Sequence, residues 1–146
     1  MLPLPMESSL TDEAIWQAFS ASTLPAEAWT HRAHLRMAWL FLKRHPLDEA
    51  HLLLRVGIIR LNAFHGLVET PARGYHETLT RLWLALVASL MRAADAQTSA
   101  AFVDAHAVEL GRDAAARYYS RERVMSPRAR AIFVAPDLAP LPDIEA

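Results

Sequence analysis

Apolar residues recur along this chain every three or four positions. Ile15, Trp16 and Phe19 form a first such stripe, and His31, His34, Ala38, Phe41 and Leu42 a second. Ala50, Leu53, Leu54, Gly57, Ile58, Leu61 and Phe64 form a broad third, and Leu79, Trp83, Leu86 and Leu90 follow His76 on a fourth. That spacing belongs to one face of an α-helix, while no run alternates with the period of two that a half-buried strand shows. The pattern predicts an all-α single-domain bundle of five to seven helices.

The ends of these segments carry matching start and stop signals. Thr11 or Asp12 can cap the first helix, which ends around Ser20 to Ser22, and Thr30 can cap a second that runs to Arg44 and is closed by His45-Pro46. Pro46 suits the first turn of a third helix, with Gly66 as its C-cap and with Asp48, Glu49, Arg55 and Arg60 on its wet face. The fourth helix is expected over about 75–94 and a fifth from Ser99 to about Leu110, its inward residues Phe102, Val103, His106 and Leu110. A short alanine-rich helix over 113–119 and a last one from Ser126-Pro127 to about Phe133 complete the set. Residues 1–10 are read as a loosely attached tail and 134–146, with Pro136, Pro140 and Pro142, as an extended one.

The 146 residues suffice for one core that removes roughly 68–70% of the unfolded chain's surface from water. Hydrophobic residues make up 53% and charged ones 21%, enough apolar surface for a subunit interface as well as a core, so a homodimer is a natural expectation. The net charge of −1 supplies no basic field to gather nucleic acid, and none is expected as a partner. With no cysteine, disulfides, thiolate metal sites and cysteine nucleophiles are ruled out, and any metal must be held by nitrogen and oxygen. Apolar runs such as Leu52 to Ile59 and Leu82 to Met91 are too short to cross a bilayer, and the N-terminus lacks the basic-then-apolar order of a signal peptide. A cytoplasmic location is the default expectation.

The candidate chemistry lies in the histidines. His31 and His34 sit three residues apart, about 60° around a helix, on a stripe otherwise continued by core residues. His76 begins the buried stripe of another helix. If those helix ends meet, three imidazoles converge, and three protein ligands with one open position is the pattern of a catalytic metal site. Zinc fits such a nitrogen set best, and iron, nickel, copper or manganese would also suit it. Glu77 then becomes the candidate general base, or an acceptor that orients an imidazole, against its plainer role as an ion-pair partner of Arg81. His76-Glu77-Thr78-Leu79-Thr80 has Thr80 where a zinc protease places its second histidine, which excludes that motif. His106 faces inward as a weaker fourth candidate, whereas His45 and His51 are expected in solvent. His65 is expected at the C-terminal dipole of its helix. Tyr75, Tyr118 and Tyr119 are candidates to close a pocket. Arg121, Arg123, Arg128 and Arg130 surround a helix start that could hold an anion, or else form a solvated face paired with Glu122 and Asp137.

The strings Trp-Thr-His-Arg-Ala-His-Leu at 29–35, Gly-Tyr-His-Glu-Thr at 74–78, Ser-Pro-Arg-Ala-Arg at 126–130 and Pro-Asp-Leu at 136–138 together resemble a family of small bacterial all-α proteins over most of the chain. That resemblance implies organisation and no particular activity. The set of three histidines on a helical bundle is also similar, in architecture alone, to the DinB/YfiT-like metal-binding bundles. Two functions follow as expectations. One is a metal-dependent activation of water or a small substrate at His31, His34 and His76 with Glu77. The other is a non-catalytic module that binds a small ligand or partner through hydrogen-bonded core histidines.

Overall fold

The computed structural model describes residues 6–142, and it is all-helical among them. Seven α-helices follow in order: α1 (Asp12–Ser20), α2 (His31–Arg44), α3 (Leu47–Phe64), α4 (Glu77–Ala93), α5 (Ser99–Ala105), α6 (Arg121–Val124) and α7 (Pro127–Ala131). Short 3-10 turns occupy Met6–Ser9, Ala26–Ala28 and Arg112–Arg117. No helix among the described residues is long and apolar enough to cross a membrane.

Helix starts follow side-chain chemistry. The hydroxyls of Thr11, Thr30, Thr98, Ser120 and Ser126 each accept from a backbone N–H one turn on, satisfying a donor that the helix itself cannot. At α4 the cap is His76, whose Nδ1 accepts from the Leu79 N–H at 3.1 Å. The fifth helix is capped by Thr98 rather than Ser99 and ends at Ala105, short of the expected Leu110. Ser99 turns instead to Asp12, which accepts from both its backbone N–H and its hydroxyl.

Helix α2 is the central element and packs against α1, α3, α4 and α5. Trp39, Met37, Leu40 and Phe41 are buried there against Leu54, Leu61, Leu82 and Phe102. Gly57 lets α3 approach α1, for a Cβ at that position would stand 2.2 Å from the Phe19 ring.

Both expected tails are docked where they are described; 1–5 and 143–146 lie outside the described residues. Glu7 is fully buried and receives Arg32 Nη1 and Arg36 Nη1, each at 2.9 Å. Arg36 is equally buried, donating also to the carbonyls of Glu7 (2.6 Å) and Leu10 (2.8 Å) and to Ser99 Oγ (2.8 Å). This clamp ties the N-terminal turn, α1 and α5 to α2, in place of the loosely attached segment that composition suggests. At the other end, Val134 is buried, its carbonyl accepting from the Tyr119 hydroxyl at 2.6 Å and its N–H donating to Thr78 Oγ1 at 3.1 Å.

Candidate functional site

A pocket of about 660 Å³ opens between α2, α3, α4 and the 112–125 segment. Its size is that of a site for a small organic molecule. Trp29, Leu54, Ile58, Leu79, Trp83 and Val124 supply apolar wall, and His31, His34, His76, Tyr75, Thr80 and Asn62 supply polar groups. Arg112, Asp113 and Arg121 also line it and are exposed, which places them at its mouth.

The three histidines anticipated from helical spacing thus border one pocket, but their nitrogens are committed differently. His31 Nε2 lies 2.8 Å from the Leu110 carbonyl and His34 Nδ1 2.8 Å from the Thr30 carbonyl. A carbonyl only accepts, so the facing nitrogen carries the proton in each ring. Nδ1 of His31 and Nε2 of His34 are left with lone pairs and make no hydrogen bond among the described residues. His76 is used on both sides: Nε2 donates to the Val124 carbonyl at 2.8 Å while Nδ1 caps α4. It fastens α4 to α6 and has no nitrogen to spare. Among the described residues no three His, Asp or Glu side chains are grouped so as to hold a metal ion.

All three rings are held neutral. Burial lowers the pKa of His31, and the nearby Arg112 charge lowers it further against the Leu110 hydrogen bond. Burial brings His34 down to about 4 against the Thr30 hydrogen bond, with His31, once it takes up a proton, and Arg112 acting in the same direction as burial. His34 lies 3.7 Å, centroid to centroid, from the Trp29 indole, and His31 meets Trp83 edge-on at 4.7 Å. His76 is likewise lowered, by burial first and then by the charge of Arg130.

Glu77 is buried but is not among the residues lining the pocket. It accepts from the Tyr75 hydroxyl at 2.7 Å and from His51 Nε2 at 3.0 Å, with Arg55 3.7 Å away. Burial would raise its pKa, yet those hydrogen bonds and charges prevail and hold it below the ordinary carboxylate range. It orients an imidazole, though that of His51 rather than of a pocket histidine. His51 is therefore not the solvated residue its helical position suggested. Arg81, the simple helix partner expected for Glu77, stacks over Phe133 at 4.3 Å.

Of the remaining candidates, Tyr75 and Tyr119 line the pocket, whereas His106 packs on Phe102 and approaches Glu109 at 3.6 Å. The C-terminal arginines do not act together. Arg123 Nε donates to the Ala135 carbonyl at 2.6 Å, Arg130 Nη1 to the Gly74 carbonyl at 2.9 Å, and Arg121 lines the pocket. Asp137 accepts from Ser120 and, among the described residues, pairs with none of them. Sequence reasoning missed Arg112: one exposed arginine in an alanine-rich stretch gives no periodic signal. Comparison with known protein families, curated proteins and solved structures finds no match to this chain.

Proposed function

We propose that this protein is a small-molecule-binding module whose ligand has an apolar body, a hydroxyl or N–H group for His31 and His34, and an anionic group at the mouth. One observation carries the reading: two neutral imidazoles, each anchored through one nitrogen to a main-chain carbonyl, keep their other nitrogens unpartnered in an apolar pocket. Each such nitrogen is a fixed acceptor that opens onto the pocket, where a ligand hydroxyl or N–H can reach it. Arg112 and Arg121, which have no carboxylate within ion-pair distance among the described residues, suit an anion at the entrance.

A divalent metal on His31 and His34 is the second reading. The same anchoring supports it, because metal-ligating histidines characteristically donate their other N–H to a carbonyl. The nearby charge of Arg112 opposes a cation, and so the small-molecule reading stands first.

Titration with anilinonaphthalene sulfonate, an apolar aromatic anion, tests the proposal. One saturable site is expected, weakened about tenfold by Arg112→Glu, a change of ~1.4 kcal/mol, and unaffected by Arg92→Glu, an exposed charge reversal in the last turn of α4 outside the pocket lining. Binding indifferent to Arg112→Glu overturns the anion reading. Zinc-dependent thermal stabilisation of the wild type, abolished in His34→Ala, establishes the metal reading instead.

A further inference from the structure

Helix α3 faces inward through Ala50, Leu54, Ile58 and Leu61, which are buried. It is also apolar on the side turned away. Leu52 is 59% exposed, Val56 43%, Ile59 37% and Leu53 38%, with Phe64 at 62% near the C-terminal end. Positions 52, 56 and 59 follow the i, i+4, i+7 spacing of a single helical stripe, which the exposed Ala63 extends by another turn. Beside the stripe expected to face the core, α3 therefore carries a second apolar face, through Leu52, Val56 and Ile59, that the bundle does not cover. A contiguous run of branched side chains on an ordered helix marks an interaction surface.

We infer that this outer face of α3 pairs with the same face of a second copy, antiparallel, about a two-fold axis near Val56. The distribution of charge selects that occupant. Asp48 and Glu49 stand in the first turn and Arg60 beyond the middle, on the flanks of the stripe. Antiparallel pairing sets the acidic end of one helix beside Arg60 of the other at both ends of the contact, and it also opposes the helix dipoles favourably. Parallel pairing would set like charges together. The stripe has Leu52 and Ile59 on either side of Val56, so rotation about Val56 lays branched side chain on branched side chain, as an isologous contact requires. Arg55 does not interrupt this seam, because its guanidinium turns toward Glu77 (3.7 Å) and the Tyr75 ring (5.6 Å). Since Leu54 and Ile58 of the same helix line the ligand pocket, the dimer would hold one wall of each pocket from behind.

The natural absence of cysteine makes the geometry directly testable. The full chain should sediment at twice its 16.3 kDa mass, and Val56→Glu, which would bring two carboxylates together at the axis, should sediment as a folded monomer of unchanged helical content. Under mild oxidation Val56→Cys should cross-link to itself. Leu52→Cys and Ile59→Cys should cross-link efficiently only when mixed. A monomeric wild type overturns the inference, as does a Val56→Glu protein that remains dimeric. Self-cross-linking of Leu52→Cys as efficient as that of Val56→Cys overturns the antiparallel arrangement. If Val56→Glu fails to fold, the mixed-cysteine result still decides. None of these outcomes depends on whether the pocket binds a ligand.

Discussion

Acidification should weaken the fold through His34 in particular. Its imidazole is pushed down to about 4 in the native structure, because burial, and then Arg112 and a protonated His31, disfavour the charged ring more than the Thr30 hydrogen bond favours it. The unfolded chain should titrate near the ordinary value of about 6.5. Above that value both states are neutral and the residue contributes nothing to pH dependence. As the pH falls below it, the unfolded chain takes up a proton that the folded one refuses, and stability is lost until the folded pKa is reached. Integrated between about pH 7.5 and pH 5, the difference costs roughly 2 kcal/mol, and it approaches ~3 kcal/mol near pH 4. Urea unfolding at those two pH values should show this loss in the wild type, with further loss in the same direction from His31 and His76, whose pKa values are also lowered. In His34→Asn a side-chain N–H can still reach the Thr30 carbonyl but nothing titrates. Its loss over the same interval should be smaller by about 2 kcal/mol. Identical pH dependence in the two proteins would refute the claim that His34 is held neutral by its surroundings.

Other substitutions probe the frame around the pocket. Glu7→Ala removes the fully buried carboxylate between Arg32 and Arg36 and should cost about 3–5 kcal/mol, because Arg36 keeps its charge in the interior. Calorimetry should register that as a fall in Tm of about 10–15 °C for a chain of this length; a fall of a degree or two would mean that the N-terminal turn is not fastened as described. Gly57→Ala would ordinarily favour a helix by about 1 kcal/mol, but the new methyl meets the Phe19 ring and should make the protein less stable by about 1–3 kcal/mol in urea. A stabilised variant would show that α1 and α3 are not in that contact. His51→Ala should also lower stability measurably, since it removes a hydrogen bond to buried Glu77, and an inert result would contradict that network.

The helices were legible in the sequence because their apolar period and their caps say the same thing. Thr30 before His31, His45-Pro46 after Arg44, and Ser126 before Pro127 all mark boundaries as written. What local pattern could not convey was pairing between distant positions. Glu7 and Arg36 look like surface charges until the fold sets them 2.9 Å apart, and that contact turns an apparent tail into an anchored segment. On α3 the expected stripe included Leu53 and Phe64, which are exposed, because periodicity reports that a position is apolar and not what covers it. At the pocket, spacing identified His31, His34 and His76 as inward residues, yet the use of each nitrogen depends on carbonyls of Leu110, Thr30 and Val124. Those at 110 and 124 lie far along the chain from their histidines.

Those nitrogens offer the most direct test. Long-range proton–nitrogen NMR of the histidine rings, recorded near neutral pH with and without anilinonaphthalene sulfonate, reports tautomer and hydrogen bonding atom by atom. The predicted spectrum has the proton on Nε2 of His31 and His76 and on Nδ1 of His34, and adding the anion should move His31 Nδ1 and His34 Nε2 while leaving both nitrogens of His76 in place. A charged or opposite tautomer at His34, or a response confined to His76, would contradict the proposed site.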